Sequence, residues 1–189
     1  GFAGTWSVQN SGGGTVANES PLQGLVMSHN TTQGAMAQQI GLCSIADAAK
    51  SMGYHNSIQG KEDVYDSNSF QAPMTIGSVQ ASPLTMANVY ATIAANGVEC
   101  TPIAITEMTS QRGKSYKVPS ANCHQAIDPK IAQTAAYAIN QGVTTAGGNA
   151  VDAQLANNRK TFAKTGTNED TYMLTAGFVP QVATFVGVG

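Results

Sequence analysis

The feature that most constrains the fold is a set of three strand-like segments at the C-terminal end of the chain. Residues 160–165, Tyr172–Val179 and Val182–Val188 contain many β-branched and aromatic residues. The links between them are short, and the second link is only Pro180-Gln181. Strands joined by such short links pair antiparallel, because a parallel pair needs a long crossover connection. The sequence therefore predicts an antiparallel three-stranded meander.

The residues before the meander have mostly helical patterns. Residues 21–52 show helical spacing of apolar residues, with a break near Gly41. Two further helices are predicted after Ser82-Pro83 and after Asp128-Pro129, since a capping side chain followed by proline suits the first turn of a helix. The residues expected to form the buried face of the helix after Ser82 are Leu84, Ala87, Val89, Tyr90 and Ile93. The prediction is an α+β fold in which a helical cluster packs on an antiparallel sheet.

The division of the chain follows the same change of pattern. Residues 1–150 are predicted to contain loops, helices and a small hairpin, and residues 151–189 to contain the three strands. Residues 1–20 are a glycine-rich loop, and residues 53–77 are a long polar surface loop. Loops of this length inside a domain are often functional. A length of 189 residues is enough for one domain with its own core.

The three cysteines allow two interpretations. All three can be buried thiols, because free cysteine packs well in protein interiors. Alternatively, Cys100 and Cys123 form a disulfide, since they flank two short strands predicted around a turn at residues 111–114. That pairing would imply an oxidising compartment. Cys43 lies within a helical pattern and is predicted to be a core thiol.

The composition excludes several classes of protein. Only 11% of the residues are charged, the net charge is -2, and the 9 Lys and Arg residues are scattered, whereas a nucleic-acid binder shows a basic stripe. No apolar run approaches the roughly 18 to 20 residues that a membrane-spanning helix needs. His29, His55 and His124 are far apart, and no Cys/His cluster has the spacing of a zinc site. We therefore expect no nucleic-acid partner, no metal and no cofactor.

The tetrapeptide Lys164-Thr165-Gly166-Thr167 combines groups that suit an anion receptor. The lysine supplies positive potential, the two hydroxyls can donate to an anion, and the glycine leaves room for a ligand backbone alongside the strand. This is the arrangement expected for binding the carboxylate at the end of an extended peptide that adds to the sheet as a strand. A backbone N–H at the strand end would face a developing oxyanion. An ordinary strand end with a turn glycine would carry the same triplet.

A second short motif, Ser28-His29-Asn30, lies directly before a helical segment. Its serine and asparagine would project a hydroxyl and an amide into the same cleft, where the hydroxyl relays a proton to a leaving group and the amide holds a substrate carbonyl. Helix capping is the structural alternative for both side chains. His29 is expected to point elsewhere and to have no catalytic role.

The pair of motifs Ser-x-Asn and Lys-Thr-Gly-Thr resembles the penicillin-recognising serine transpeptidases, that is, the penicillin-binding proteins. The resemblance is wider than the two motifs, and it includes "PLQGLVMSHNTTQGAMAQQIGL" and "TIGSVQASPLTMANVYATIAANG". The last segment, "FAKTGTNEDTYMLTAGFVPQVATFVGVG", is similar to the final strands of bifunctional, class A members. The similar segments follow one another in the family's order across nearly the whole chain. The resemblance implies a β-lactamase/D,D-transpeptidase-like fold.

The resemblance also implies roles for the first three site residues. Ser28 would assist proton transfer, and Asn30 would hold the amide of the substrate. Lys164 would set the electrostatic potential of the cleft and help to shuttle protons.

The remaining roles implied by the resemblance concern substrate binding. Thr165 and Thr167 would bind the terminal carboxylate of a peptidoglycan stem peptide ending in D-Ala-D-Ala, or the carboxylate of a β-lactam. The backbone N–H of Thr167 would form half of an oxyanion hole, and Gly166 would leave room for the acyl chain.

The nucleophile motif of the family, Ser-x-x-Lys, does not occur in these 189 residues. By the resemblance, that motif would lie upstream of Gly1, a transglycosylase domain and a membrane anchor further upstream, and a final helix after Gly189. We therefore expect a partial transpeptidase domain that is inactive by itself and exposes apolar surface, so that it self-associates or binds a partner chain. The parent enzyme would act on the extracytoplasmic face of a bacterial membrane.

Two alternatives remain open. A β-lactamase or carboxypeptidase of the same superfamily is disfavoured by the "SPLTMANVYATIAANG" segment and by the lack of a Glu-x-x-Leu-Asn stretch. A non-catalytic sensor or pseudoenzyme that binds muropeptides or β-lactams is kept open by the lack of Ser-x-x-Lys.

Overall fold

Helices come first along the chain and the main sheet comes last, as the sequence predicts. The computed structural model describes residues 5–67, 69–168 and 171–189. Residues 1–4 of the glycine-rich loop and residues 169–170 of the link between the first two predicted strands lie outside the described residues. The helices are α1 (Pro21–Val26), α2 (Asn30–Ile40), α3 (Leu42–Ser51), α4 (Pro83–Ala94) and α5 (Pro129–Thr144), with short 3-10 helices at Ala72–Ile76, Val151–Ala153 and Ala156–Asn158. The strands are β1 (Val98–Glu99), β2 (His124–Gln125), β3 (Phe162–Asn168), β4 (Tyr172–Val179) and β5 (Val182–Val188).

The starts of the helices follow local chemistry. The side chain of Ser82 accepts a hydrogen bond from the backbone N–H of the third residue on, and Asp128 does the same for the second residue on. Each cap is followed by proline, whose fixed φ and missing N–H suit the first turn. Gly41 separates α2 from α3 at a φ of 87°, a conformation that favours glycine. Both predicted caps and the predicted break are confirmed.

The main sheet has the strand order β3-β4-β5, and both pairs are antiparallel. The predicted meander is therefore confirmed, and β3 forms one edge of the sheet. The first strand is shifted, since it spans Phe162–Asn168 and not residues 160–165. The cause lies in Thr161, whose hydroxyl donates to the carbonyl of Arg159 at 2.8 Å and holds that part of the chain in the preceding turn.

The core lies between the sheet and the helices α4 and α5. The rings of the paired residues Phe162 and Phe178 stack with centroids 4.3 Å apart, and Ile139 of α5 packs against them. Tyr90 and Ile93 of α4 border this cluster. The core therefore fixes β3 and β4 against α5, the helix that precedes them.

The prediction that Leu84 faces the core is wrong, since its side chain is 64% exposed. The buried stripe of α4 consists of Thr85, Val89 and Thr92. These residues also follow helical spacing, but their stripe begins at Thr85, one position after Leu84. Two of the three are threonines. The hydroxyl of Thr92 donates to the carbonyl of Asn88, one turn earlier, which satisfies it inside the core.

The structure contains the disulfide between Cys100 and Cys123. Its partners directly follow β1 and precede β2, which pair antiparallel. Of the two short strands predicted between the cysteines, the described structure has one antiparallel bridge, between Thr109 and Ser115. Pro102 and Pro119 lack a backbone N–H and cannot donate to strand pairing near the cysteines. Closing a loop with a sequence separation of 23 contributes about 3 kcal/mol by restricting the unfolded chain.

Cys43 is exposed, so the prediction of a core thiol is wrong. The inward face of α3 carries Ala46, which is fully buried. Cys43 lies on the outward side of the same helix with Asp47 and Lys50, both also exposed. The apolar pattern identified the helix correctly but placed its buried stripe wrongly.

One face of the C-terminal sheet exposes an apolar strip. We call it the outer strip, and its residues are Met173, Val182, Val186 and Val188, with exposed fractions between 52% and 65%. Met173 lies directly opposite Val188 in the β4–β5 pair, so the strip crosses two strands. Among the described residues, no helix has the length and apolar character that crossing a membrane requires.

Candidate active site

The two sequence motifs meet at the edge of the main sheet. The ammonium of Lys164, on β3, donates a hydrogen bond of 2.7 Å to the hydroxyl of Ser28. Ser28 lies in the short turn between α1 and α2, and 136 positions separate the two residues in the sequence. The fold therefore brings an amine and a hydroxyl from distant segments into direct contact.

The turn that carries Ser28 has an unusual backbone. Ser28 has a φ of 60°, in the left-handed region that residues other than glycine rarely adopt. Its N–H donates to the carbonyl of Leu25 at 3.2 Å, and the N–H of His29 donates to Gly24 at 2.8 Å, so the turn closes onto the end of α1. Strained backbone of this kind persists where the surroundings hold it, commonly at functional sites.

A third residue, Asn149, joins the two motifs and was missed by the sequence analysis. Its side-chain oxygen accepts a hydrogen bond from the ammonium of Lys164 at 3.2 Å and another from the hydroxyl of Thr165. Its backbone N–H donates to the carbonyl of Val26, at the end of α1, at 2.9 Å. Asn149 therefore contacts both the edge strand and the helix that leads to Ser28.

The position of Asn149 depends on the glycine before it. A Cβ atom on Gly148 would lie 2.5 Å from the carbonyl oxygen of Gly142 in α5, which is closer than such atoms can approach. Only glycine allows the connection to fold back this tightly. The sequence contained this signal in the segment "AGGNA", but nothing in the segment indicated what the asparagine would contact.

The ammonium of Lys164 donates to three acceptors, and among the described residues it has no carboxylate partner. Besides Ser28 and Asn149, it donates to the backbone carbonyl of Thr165 at 2.5 Å. None of the ion pairs among the described residues involves Lys164. Burial, which penalises the charged form, lowers the pKa of Lys164 to about 8. The site therefore holds a positive charge at neutral pH that is released in the mildly alkaline range.

Asn30 lies at the start of α2 but does not hydrogen-bond to Lys164. Its amide nitrogen donates to the backbone carbonyl of Gln9 at 3.0 Å, so the N-terminal segment lies against the start of this helix. An amide nitrogen carries two protons, and the contact with Gln9 uses one of them. The second proton and the amide oxygen have no partner among the described residues.

His29 points away from Lys164, as expected from the sequence, and binds Glu19. Its Nδ1 lies 2.7 Å from a carboxylate oxygen of Glu19, whose side chain is only 2% exposed. The hydroxyl of Thr32 donates to the other oxygen of the same carboxylate. The bond from Thr32, followed by that from His29, lowers the pKa of Glu19. This carboxylate links the turn to the preceding loop, a contact that no sequence pattern around Glu19 predicts.

The rest of the tetrapeptide lines the open side of β3. Thr165 is half-buried with its hydroxyl on Asn149, whereas Gly166 and Thr167 are exposed. A Cβ atom on Gly166 would meet only the Cβ of Leu174, at an ordinary 3.8 Å, and its φ is not in the left-handed region. The fold itself therefore does not require glycine here, and the space beside β3 is open.

The fold and the site together define a class of protein. A helix-backed antiparallel sheet with a lysine–serine contact at its edge strand is the β-lactamase/D,D-transpeptidase arrangement that the motifs predict. The structure of PonA1 from Mycobacterium tuberculosis, solved in complex with penicillin V, superposes with a TM-score of 0.76 at 25% identity. The match covers 89% of this chain and 46% of that chain.

The family follows from the sequence match. The model of the penicillin binding protein transpeptidase domain matches residues 3–188, so the chain belongs to that family and the predicted resemblance is confirmed. Penicillin-binding protein 1A of M. tuberculosis is 26% identical over 181 residues, covering 88% of this chain and 22% of the relative. The same protein of Mycolicibacterium smegmatis is 29% identical over 163 residues, covering 79% and 20%. The chain therefore spans about a fifth of the length of these relatives.

Proposed function

We propose that this chain forms the proton-relay and carboxylate-binding part of a peptidoglycan D,D-transpeptidase site, and that the same site binds β-lactams. The observation that carries the proposal is the 2.7 Å hydrogen bond from Lys164 to Ser28. It gives the serine hydroxyl an ammonium neighbour and leaves the hydroxyl's own proton free to donate to a ligand. The family match over residues 3–188 supports the same reaction class.

The contact suits one step of acyl transfer. When a serine oxygen attacks the peptide carbonyl, the C–N bond breaks and the leaving nitrogen needs a proton. Ser28 supplies its hydroxyl proton to that nitrogen and takes one from Lys164. The attacking hydroxyl releases its own proton, and this proton returns to the neutral amine of Lys164. The number of protons is therefore the same before and after the step. A lysine pKa of about 8 lets the amine both give and regain a proton near neutral pH.

The same strand suits recognition of the substrate. β3 is the edge of the described sheet, so the outward-facing backbone groups of this strand are free to pair with an extended peptide. The ammonium of Lys164, which has no carboxylate partner among the described residues, attracts the terminal carboxylate of a D-Ala-D-Ala stem peptide or of a β-lactam. The exposed hydroxyl of Thr167 donates to that carboxylate, and its backbone N–H forms half of the oxyanion hole. The amide of Asn30 holds the substrate from the other side of the cleft.

In the proposed reaction the nucleophile comes from outside these 189 residues, since no Ser-x-x-Lys motif occurs among them. Without an attacking oxygen no acyl-enzyme forms, so the chain alone is proposed to be inactive. Residues 1–150 would then supply the Ser28 turn and residues 151–189 the tetrapeptide strand of one partial domain. The parent protein would carry a peptidoglycan glycosyltransferase domain and act at the extracytoplasmic face of the membrane. The Cys100–Cys123 disulfide is consistent with that oxidising location.

The outer strip suits contact with another protein chain. Its exposed side chains, Met173, Val182, Val186 and Val188, form an apolar face on two adjacent strands. Apolar faces of this kind are usually covered in a complete protein. We therefore propose that the isolated chain self-associates through this face, and a monodisperse monomer in light scattering would contradict it.

The decisive experiment is intact-mass spectrometry after incubation with penicillin, on this chain and on the protein translated from its complete gene. A mass increase of one opened β-lactam in the complete protein alone supports the proposal and its missing nucleophile. Acylation of the 189-residue chain would overturn the claim that it lacks a nucleophile. If neither protein is acylated, the site is at most a binding site, and a non-catalytic sensor of muropeptides or β-lactams replaces the enzyme.

Replacing Gly166 by Ala should impair acylation without impairing folding. The Cβ atom would enter the open space beside β3 and meet only Leu174, so the thermal unfolding midpoint should hardly change. The same atom would obstruct a peptide or β-lactam along the strand, and we expect the acylation rate to fall about tenfold or more. The matched variant Gly177→Ala should instead lower the thermal unfolding midpoint, because its Cβ would lie 2.6 Å from the carbonyl oxygen of Phe162 in the core. An unaltered acylation rate in Gly166→Ala would contradict the assigned ligand position.

A further inference from the structure

We propose that Asn149 is a positioning residue for the proton relay, which holds Lys164 in the orientation that directs one of its protons at Ser28. The inference rests on the proposed function, because it assigns Asn149 a part in the same relay. Asn149 belongs to neither motif, and it follows α5 in the connection to the first 3-10 helix after it.

Backbone hydrogen bonds hold Asn149 in place independently of its side chain. Its N–H donates to the carbonyl of Val26, which is 5% exposed at the end of α1. The N–H of the next residue, Ala150, donates to Gly142 at 3.1 Å, and Ala150 is buried against Ala163 of β3. The residue is therefore held by α1 on one side and by α5 and β3 on the other.

The side chain of Asn149 then restricts the lysine. An ammonium has three protons in tetrahedral directions, and two of those on Lys164 point to the Asn149 side-chain oxygen and to the Thr165 carbonyl. Fixing two directions determines the third, which leads to the oxygen of Ser28. The same asparagine oxygen also accepts the hydroxyl proton of Thr165, so it couples two residues of the tetrapeptide.

An amide suits this position better than a carboxylate would. The neutral oxygen of Asn149 orients the ammonium without cancelling its charge, whereas a carboxylate there would form an ion pair and compete with the carboxylate of the substrate. The groups that face Lys164 are Ser28, Thr165 and Asn149, and among the described residues none of them titrates in the neutral range. His29, next to Ser28 in the chain, is turned to Glu19.

The variants Asn149→Ala and Asn149→Asp therefore shift the titration of Lys164 in opposite directions. Alanine removes an acceptor that stabilises the ammonium, so the alkaline limb of the acylation profile moves to lower pH. Aspartate stabilises the ammonium more strongly, so the limb moves to higher pH. We expect acylation of the alanine variant by penicillin at pH 7 to be about tenfold slower, as for one lost charge-assisted hydrogen bond. If Asn149 had a purely structural role, the profile of the alanine variant would stay at the pH of the wild type.

The experiment uses the protein translated from its complete gene, with Thr145→Ala as the control. Thr145 is exposed in the same connection, and its hydroxyl donates to the side-chain oxygen of Gln141 in the preceding helix at 3.5 Å. Acylation rates with penicillin are measured from pH 6 to 10, and thermal unfolding shows whether each variant is folded. Opposite shifts for alanine and aspartate, with an unchanged control, support the proposal. The proposal is overturned if neither variant shifts its pH profile of acylation. It is also overturned if both variants lose acylation rate equally and keep the same pH optimum.

A second measurement needs no turnover. Competitive acetylation of the Lys164 amine, quantified by peptide mass spectrometry across the same pH range, gives the pKa of this lysine in each variant. Opposite shifts support the inference even if the wild-type protein does not react with penicillin, in which case only the proposed function fails. An identical Lys164 titration in all variants overturns the inference even if the wild-type protein is acylated normally.

Discussion

Replacing Lys164 by methionine should lower the rate of acylation by penicillin by roughly 10²–10⁴-fold, the range in which a positioned acid or base contributes. Methionine keeps most of the side-chain volume but removes the ammonium that donates to Ser28 at 2.7 Å. The variant thereby loses both the proton source for the relay and the positive charge that attracts the substrate carboxylate. Stopped-flow or gel-based acylation of the complete protein, followed across pH, provides the measurement.

The pH dependence distinguishes this role from a structural one. The pKa of Lys164 is lowered to about 8 in the folded protein, so the wild-type rate should change across an ionisation near that pH and the variant should not show that change. A depressed lysine pKa means that the folded state binds fewer protons than the unfolded state between pH 8 and 10.5, the ordinary pKa of a lysine side chain. The stability of the wild type relative to the variant should therefore increase with pH through that window.

Lys160→Met is the matched control for this prediction. Lys160 precedes the same strand and is exposed, and its ammonium lies 5.3 Å from the centre of the Phe162 ring. We expect its acylation rate to stay within about twofold of the wild type, because a surface cation contributes little. If both lysine variants lost activity equally, net charge and not the Ser28 contact would explain the effect.

Replacing Ser28 by alanine should slow acylation roughly 10²-fold or more, because the leaving nitrogen then lacks its proton donor. The effect should be larger on the chemical step than on binding, since Ser28 is assigned no contact with the substrate carboxylate. The acylation rate constant and the dissociation constant of the preceding complex, measured separately with a chromogenic β-lactam, would show this difference.

Ser28→Gly separates the hydroxyl from the backbone. At a φ of 60° glycine is relaxed, whereas alanine has the steric cost that serine already has. We expect the glycine variant to unfold at the same or a higher temperature than the alanine variant, with an equally slow acylation. Recovery of the rate in the glycine variant would mean that Ser28 is needed for its conformation and not for its hydroxyl.

The sequence predicted those parts of the fold that depend on neighbours along the chain. The caps at Ser82 and Asp128, the break at Gly41 and the antiparallel meander all follow from local patterns, and the structure confirms them. The two motifs were also recognisable as short patterns, although only the structure supplied the hydrogen bond between Lys164 and Ser28.

The errors and omissions concern contacts between distant segments. Leu84 and Cys43 were assigned to the core because apolar spacing identifies a helix but leaves the rotation of its buried stripe open by a residue. Asn149 and Glu19 are polar residues in loops, and each acquires a role only when another segment folds against it. The local sequence around each residue does not predict which segment it will contact.

The 136 positions between Ser28 and Lys164 also determine when the site forms during folding. Contacts of long sequence separation carry a large loop-closure entropy, so they form after local helices and hairpins. The turn at Ser28 is made early in the chain, but its partner lies in a strand that pairs only with later residues. We therefore expect the cleft to form late in folding, and protection of the Lys164 region from hydrogen exchange would report that the domain has reached its final topology.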